Sequence, residues 1–265
     1  MTSWWPFPPE TRGVQFDEKW AFVGKKQKNC DPANPEDDHR GDSWDHVAFD
    51  PDHKLVLAVV PGARTEENAR AIVAEVKRRV GGTPPPLMTS DEYPAYATAI
   101  AEVFSVPVPA PTRRGPGRPR IVPERRLSDG VIYATVHKHR EDNRVTAAEQ
   151  RQVFGSPEGL EDALGESAVS HHVNTSFVER QNATDRGRNA RKSRKTYRFS
   201  KDWQVYEAMT YATMYGYNFC WCVRTLRVKD EHGHWRERSP GLAAKLTDHV
   251  WTWKEWFTRP AVQSA

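Results

Sequence analysis

Cysteine is scarce in this chain: Cys30, Cys220 and Cys222 make an odd count with no Cys-x-x-Cys spacing. That pattern argues against a disulfide framework and against a zinc ribbon. Long apolar runs are absent, so no membrane-spanning segment is expected. The opening "MTSWWPFPPETRG" lacks the basic start and apolar stretch of a signal peptide, and a cytoplasmic protein is expected. Apolar residues are also few, at 37%, although ten Trp raise the burial available to each. A length of 265 residues then suits one globular unit with tails.

What the chain does have is localised positive charge. The net charge is only +4, but much of the excess sits in Arg113–Arg126 and Arg180–Lys201. From Asn174 to Lys201 nine Arg or Lys stand against Glu179 and Asp185 alone. Two such clusters suit a phosphate backbone better than two unrelated solvated faces.

Periodicity orders the elements. "VQFDEKWAFVGKK" alternates as a strand, with Val14, Phe16, Glu18, Trp20 and Phe22 on one face and Gln15, Asp17, Lys19, Ala21 and Val23 on the other. "WDHVAFD" and "KLVLAVVPG" read as a hairpin around "PDH". "TEENARAIVAEVKRRV" is a capped helix, "LMTSD" a short buried strand, and "PAYATAIAEVF" a second helix. A Pro-rich basic insertion spans 106–128, "GVIYATVHKHR" is a further strand, and Glu141–Ser170 has no clear period. A long aromatic helix, "DWQVYEAMTYATMYGYNFCWCV", follows the basic segment. The order of elements is that of a mixed α/β fold.

Three carboxylates stand out. Asp17 sits inside an apolar-flanked strand, Asp91 at the carboxyl end of another, and Glu179 opens the basic helix. For Asp91 helix capping is the plain alternative. If the three converge they repel one another, and divalent cations with oxygen preference make them tolerable.

At these residues the chain resembles a known family. "FDEKWAFVGKKQKN", "GDSWDHVAFDPDHKLVLAVVPGART", "TSDEYPAY", "NTSFVERQN", "FSK", "YNFCW…RTLRVK" and "LTDHVWT" occur in the order seen in bacterial insertion-sequence transposases of the insertion-sequence-one type. The resemblance implies a DDE catalytic domain over 14–228 on a ribonuclease-H-like mixed sheet flanked by helices, after an irregular lead-in over 1–13 and before a helical C-terminal extension over 229–265. It implies Asp17, Asp91 and Glu179 as catalytic residues and ligands of two Mg²⁺ ions, with Mn²⁺ as a substitute. It implies cleavage and strand transfer on double-stranded DNA by a homodimer, in a bacterial, nucleoid-associated setting. No membrane partner or small-molecule cofactor is implied. Arg180 and Asn182 belong to the same motif and are expected to contact the scissile region or buttress Glu179. Glu18 is expected to be structural.

Other DNA contacts are expected from Lys25, Lys26, Arg186, Arg188, Arg191, Lys192, Arg194 and Lys195. "RRGPGRPR" contains the core of an AT-hook, a minor-groove reader, which adds Arg118 and Arg120.

The chain also departs from the family pattern. "TSDG" is "TSDE", Tyr206 and Val223 stand where His is usual, and Asp185 and Gly187 are expected to weaken the helix after Glu179. Only about a dozen residues precede the first strand, so the region that finds element ends is expected to be missing. Such a truncated copy could be a catalytically inactive DNA-binding remnant; a structure-selective nuclease is a third possibility.

Overall fold

The computed structural model describes residues 10–108, 124–142 and 144–258. A six-stranded mixed sheet organises them, in the order β3-β2-β1-β4-β7-β8. The strands are β1 (Gly13–Val23), β2 (Gly41–Asp50), β3 (Leu55–Gly62), β4 (Leu87–Asp91), β7 (Tyr133–Glu141) and β8 (Arg144–Phe154). Between them a two-stranded ribbon, β5 (Ser105–Pro107) with β6 (Arg125–Leu127), brackets the Pro-rich insertion. β1, β4 and β7 run parallel, whereas β2, β3 and β8 are antiparallel to their neighbours.

Alternation along β1 splits the molecule into two layers. Val14 and Phe16 enter the main core with Met88, where helices α1 (Glu66–Arg79) and α2 (Pro94–Val103) bring Ile72, Val73, Val76, Tyr96 and Ile100. Thr65 starts α1 by accepting a hydrogen bond from the Asn68 amide at 3.3 Å. The opposite face of β1 carries Gln15, Asp17 and Lys19. It meets α4 (Ser176–Arg188), with α5 (Trp203–Cys220) beside it. The stretch without clear period resolves into β8 and α3 (Pro157–Gly165), and α3 contributes Leu160 and Leu164 beneath Ala134 and Val136.

β3 is an edge strand, and α5 covers it. The Asn218 side chain accepts from the Val56 amide and donates to the Val56 carbonyl, both at 2.9 Å, so one amide replaces a missing strand. A Cβ on Gly216 would stand 2.6 Å from the Trp253 ring, which explains a glycine inside this helix. The segment expected as a helical extension is a small hairpin, β9 (Val228–Lys229) with β10 (Trp235–Arg236), followed by two short helices, α6 (Pro240–Ala243) and α7 (Trp253–Thr258). Its Ala244, Leu246 and Trp251 enter the main core, so this segment is part of the packed body. No helix among the described residues is long and apolar enough to cross a membrane.

Replacing Asn218 by Ala leaves two buried backbone groups of Val56 without partners. Each orphaned group costs about 1–3 kcal/mol, so a loss of about 2–5 kcal/mol is expected in urea unfolding. An unchanged midpoint would show that water serves the edge equally well.

Candidate active site

Strand register sets the site. Gln15 lies opposite Thr89 in the parallel β1–β4 pair, and Asp17 and Asp91 each follow two residues beyond that pair. Asp91 pairs in turn with Val136 of β7. The α4-facing side of this row carries Gln15, Asp17 and Thr89, and α4 lies across it. Gln15 fixes that crossing: its Oε1 accepts from the amides of Phe177 and Val178 at 3.1 and 3.0 Å. Two first-turn donors of α4 are thereby satisfied from the sheet.

Asp17 is the tense member. Burial pushes its carboxyl up to about 6, and repulsion from Asp91 and Glu179 adds to the shift. Asn182 opposes it by donating from Nδ2 to Asp17 Oδ2 at 2.8 Å. Asp91 closes β4, and its Oδ1 accepts from the Tyr93 amide at 3.2 Å, so it also shapes the turn into α2. Glu179 is exposed in the first turn of α4, where its Oε1 accepts from Thr175 Oγ1 at 2.7 Å and from the Lys138 ammonium. Lys138 also donates to Thr175 Oγ1 at 3.1 Å.

The three carboxylates thus share one electrostatic neighbourhood. They are not a closed ligand set: among the described residues no three His, Cys, Asp or Glu side chains are gathered as a metal cage. The residues nevertheless fit a hard divalent cation. The donors are all oxygens, and a second carboxylate and a third raise the proton affinity of the first, which a cation would relieve.

Beneath α4 lies a second charged group, fully enclosed. Lys19 of β1 pairs with Asp45 of β2 at 3.1 Å and with Asp185 of α4. Lys192, four residues beyond α4, pairs with Asp45 at 2.5 Å and donates to Thr210 of α5. Tyr206 donates to Asp45 at 2.8 Å and Thr213 to Asp185 at 3.0 Å. Burial alone would raise Asp45; the two ammonium groups outweigh it and hold the carboxyl down at about 2. Burial brings Lys192 down to about 8 despite Asp45.

Two expected DNA contacts are therefore corrected. Lys192 is buried in this cluster, because Asp45 and Thr210 supply its partners from inside. Asn182 is 2% exposed, and it buttresses Asp17 rather than Glu179. α4 runs through Asp185, which anchors it to Lys19, and ends at Arg188, one residue after Gly187, where an added Cβ would meet nothing within 4 Å.

The other basic residues divide. Lys26, Arg180, Arg191, Arg194 and Lys195 are exposed. Lys25 is tied to Asp37 at 2.6 Å. Arg186 is half-buried, with Nη2 3.4 Å from the Trp20 carbonyl, and the Arg188 guanidinium lies 3.3 Å from the centre of the Trp221 ring. Arg118 and Arg120 lie outside the described residues. Glu18 points away from α4 and pairs with Arg64 at 3.0 Å. The adjacent acid Glu92 is held by His137 and by Arg151 at 2.8 Å. Lys138 went unmarked in the sequence, although the strand alternation that inverts at each residue places it on the Val136 side.

A carboxyl with a folded value of about 6 and an ordinary value of 3.8 carries no penalty where it is protonated in both states. The penalty grows as pH rises through that window and is complete above about 6. Asp17→Asn should therefore raise the melting temperature at a pH of about 8 and leave it almost unchanged near a pH of about 4. Equal shifts at both values would remove the electrostatic account of Asp17.

In comparisons with known proteins, no family model matches the chain and no curated protein matches it, so the site is read from its own geometry.

Proposed function

We propose that this chain is the catalytic domain of a DDE transposase with a ribonuclease-H-like fold, cutting and joining double-stranded DNA at insertion-sequence ends. The observation that carries this reading is the coupling at Asp17 of β1: acids from two other elements, Asp91 of β4 and Glu179 of α4, press on its carboxyl. Support also comes from the sheet, in which a three-stranded antiparallel part continues into parallel β4 and β7, and from the ordered sequence tags described above.

Asp17, Asp91 and Glu179 would hold two Mg²⁺ ions. When bound, these would activate the attacking oxygen and stabilise the leaving one in an in-line phosphoryl displacement. The chain's own residues do the remaining work. Asn182 fixes the rotamer of Asp17 through its 2.8 Å bond, and Gln15 fixes the pitch of α4 and with it the place of Glu179. Arg180, Arg191, Arg194 and Lys195 are free to meet phosphate along the DNA, worked by two copies of the chain.

One observation favours the second reading, a DNA-binding remnant without turnover. The Lys138 ammonium engages Glu179, and the acids form no closed cage. The two readings separate in one experiment. Labelled duplexes taken from the borders of the gene are incubated with the protein and Mg²⁺ or Mn²⁺. Cleavage by the native chain, lost to background in Asp91→Ala and Glu179→Ala, is the expected result. Binding without cleavage in either metal would establish the remnant, and cleavage that persists in both variants would dismiss the triad. Lys138→Met should tighten Mg²⁺ binding in calorimetric titration, since the competing cation on Glu179 is gone; weaker binding would assign Lys138 a supporting role.

A further inference from the structure

α4 has a second flank. Glu179, Asn182 and Arg186 occupy the side over β1, while Gln181, Thr184 and Arg188 look the other way by helical spacing. On that far side a groove of ≈ 750 Å³ opens between α4, the end of α5 and the segment after it. Lys54, Arg180, Arg188 and Arg224 line it, and none of its described lining residues is Asp or Glu. Phe177, Tyr217 and Trp221 line the same walls; Tyr217 is buried, Lys54 lies over the Phe177 ring, and Trp221 offers the exposed aromatic surface. Arg188 covers one part of Trp221, and the residue as a whole remains 41% exposed.

We infer that this groove binds an unpaired DNA strand that continues from the carboxylate site, an inference that rests on the reading of that site as a DNA-cutting centre. Four lining cations neutralise a phosphate chain. Aromatic side chains add something a duplex cannot use, because base faces inside a duplex are already stacked on one another. They become available where the strand is unpaired. The path between the two flanks is short and low. Arg180 follows Glu179 directly, and the exposed crest of α4 carries Ala183 and Gly187, neither of which raises a side chain that would block a strand. The hydroxyl of Thr184 and the amide of Gln181 stand beyond that crest, on the groove wall.

Fluorescence anisotropy with three DNAs tests this: a blunt duplex of about 20 base pairs, the same duplex with an unpaired extension of about six nucleotides, and the extension alone. The native protein should bind the extended duplex roughly tenfold or more tightly than the blunt one, given the usual strength of base–aromatic stacking. Trp221→Ala should abolish that preference and leave blunt-duplex binding intact. Arg224→Ala, at an exposed position, should reduce it and lower its salt dependence, and serves if the Trp221 variant is unstable. Equal affinity of the native protein for blunt and extended duplex would overturn the groove assignment alone. Failure to bind any of the three DNAs would overturn the DNA-cutting reading as well. Competition by polyglutamate that matches the unpaired extension at equal charge would also overturn it, by showing that the groove takes anionic chains without regard to bases.

Discussion

Two lysines and two aspartates, sealed beneath α4, carry the architecture of the site. Lys19, Asp45, Asp185 and Lys192 come from β1, β2, α4 and the turn after it, so their pairing ties sheet and helix at one point. The group is neutral as a whole, yet each charge is almost wholly removed from water. Taking away one member of such a set strands its partner and costs about 3–5 kcal/mol. That is a large part of the about 5–15 kcal/mol that holds a domain folded. α4 has little else to hold it, because Val178 is its only fully buried apolar residue, against buried Gln181, Asn182 and Asp185. A helix seated by charges and hydrogen bonds accepts one register. Apolar packing would tolerate slippage, and slippage would carry Glu179 away from Asp17.

One face of β1 shows how that specificity and the chemistry share the same space. Gln15, Asp17 and Lys19 follow one another at alternate positions beneath α4. Gln15 finds helix amides and Lys19 finds two carboxylates, so both are satisfied. Asp17, between them, has Asn182 for a donor and two acids for neighbours. On this face the strain falls on Asp17 while its flanking positions hold the frame; on the other face burial and Asp91 push Glu18 up to about 7.

Much of this was legible in the chain. Strict alternation placed Gln15, Asp17 and Lys19 together on the face opposite Phe16, and the hairpin around "PDH" and the helix after Thr65 follow from local turn and cap chemistry. What was not legible depends on distant partners. Lys192 lies in a basic run, and a run of cations reads as a solvated surface; Asp45, which buries it, is 147 positions away. Tyr206 donates to the same Asp45. β8 hid because an outer strand with both faces largely in solvent has no apolar period to show, as in "RVTAAEQRQVF". Asn218 hid for a similar reason, since nothing local marks an amide that completes a sheet edge.

Lys138 lets the acids coexist in the folded chain. Asp91 and Glu179 both raise Asp17, and three anions so placed would open the cleft unless some cation stood among them. Lys138 sits on β7 two residues beyond Val136, the residue level with Asp91, and its ammonium reaches Glu179 and Thr175. At 22% exposure it is shielded enough for its charge to act locally and open enough to withdraw. A flexible four-carbon stem suits that role, because it leaves by rotation rather than by moving the strand. On the proposed reading the same ammonium, once displaced from Glu179, would stand beside the substrate phosphate. On the proposed two-metal reading a single lysine would keep the acids together before metal binds and meet the substrate afterwards, with no shift of α4 required.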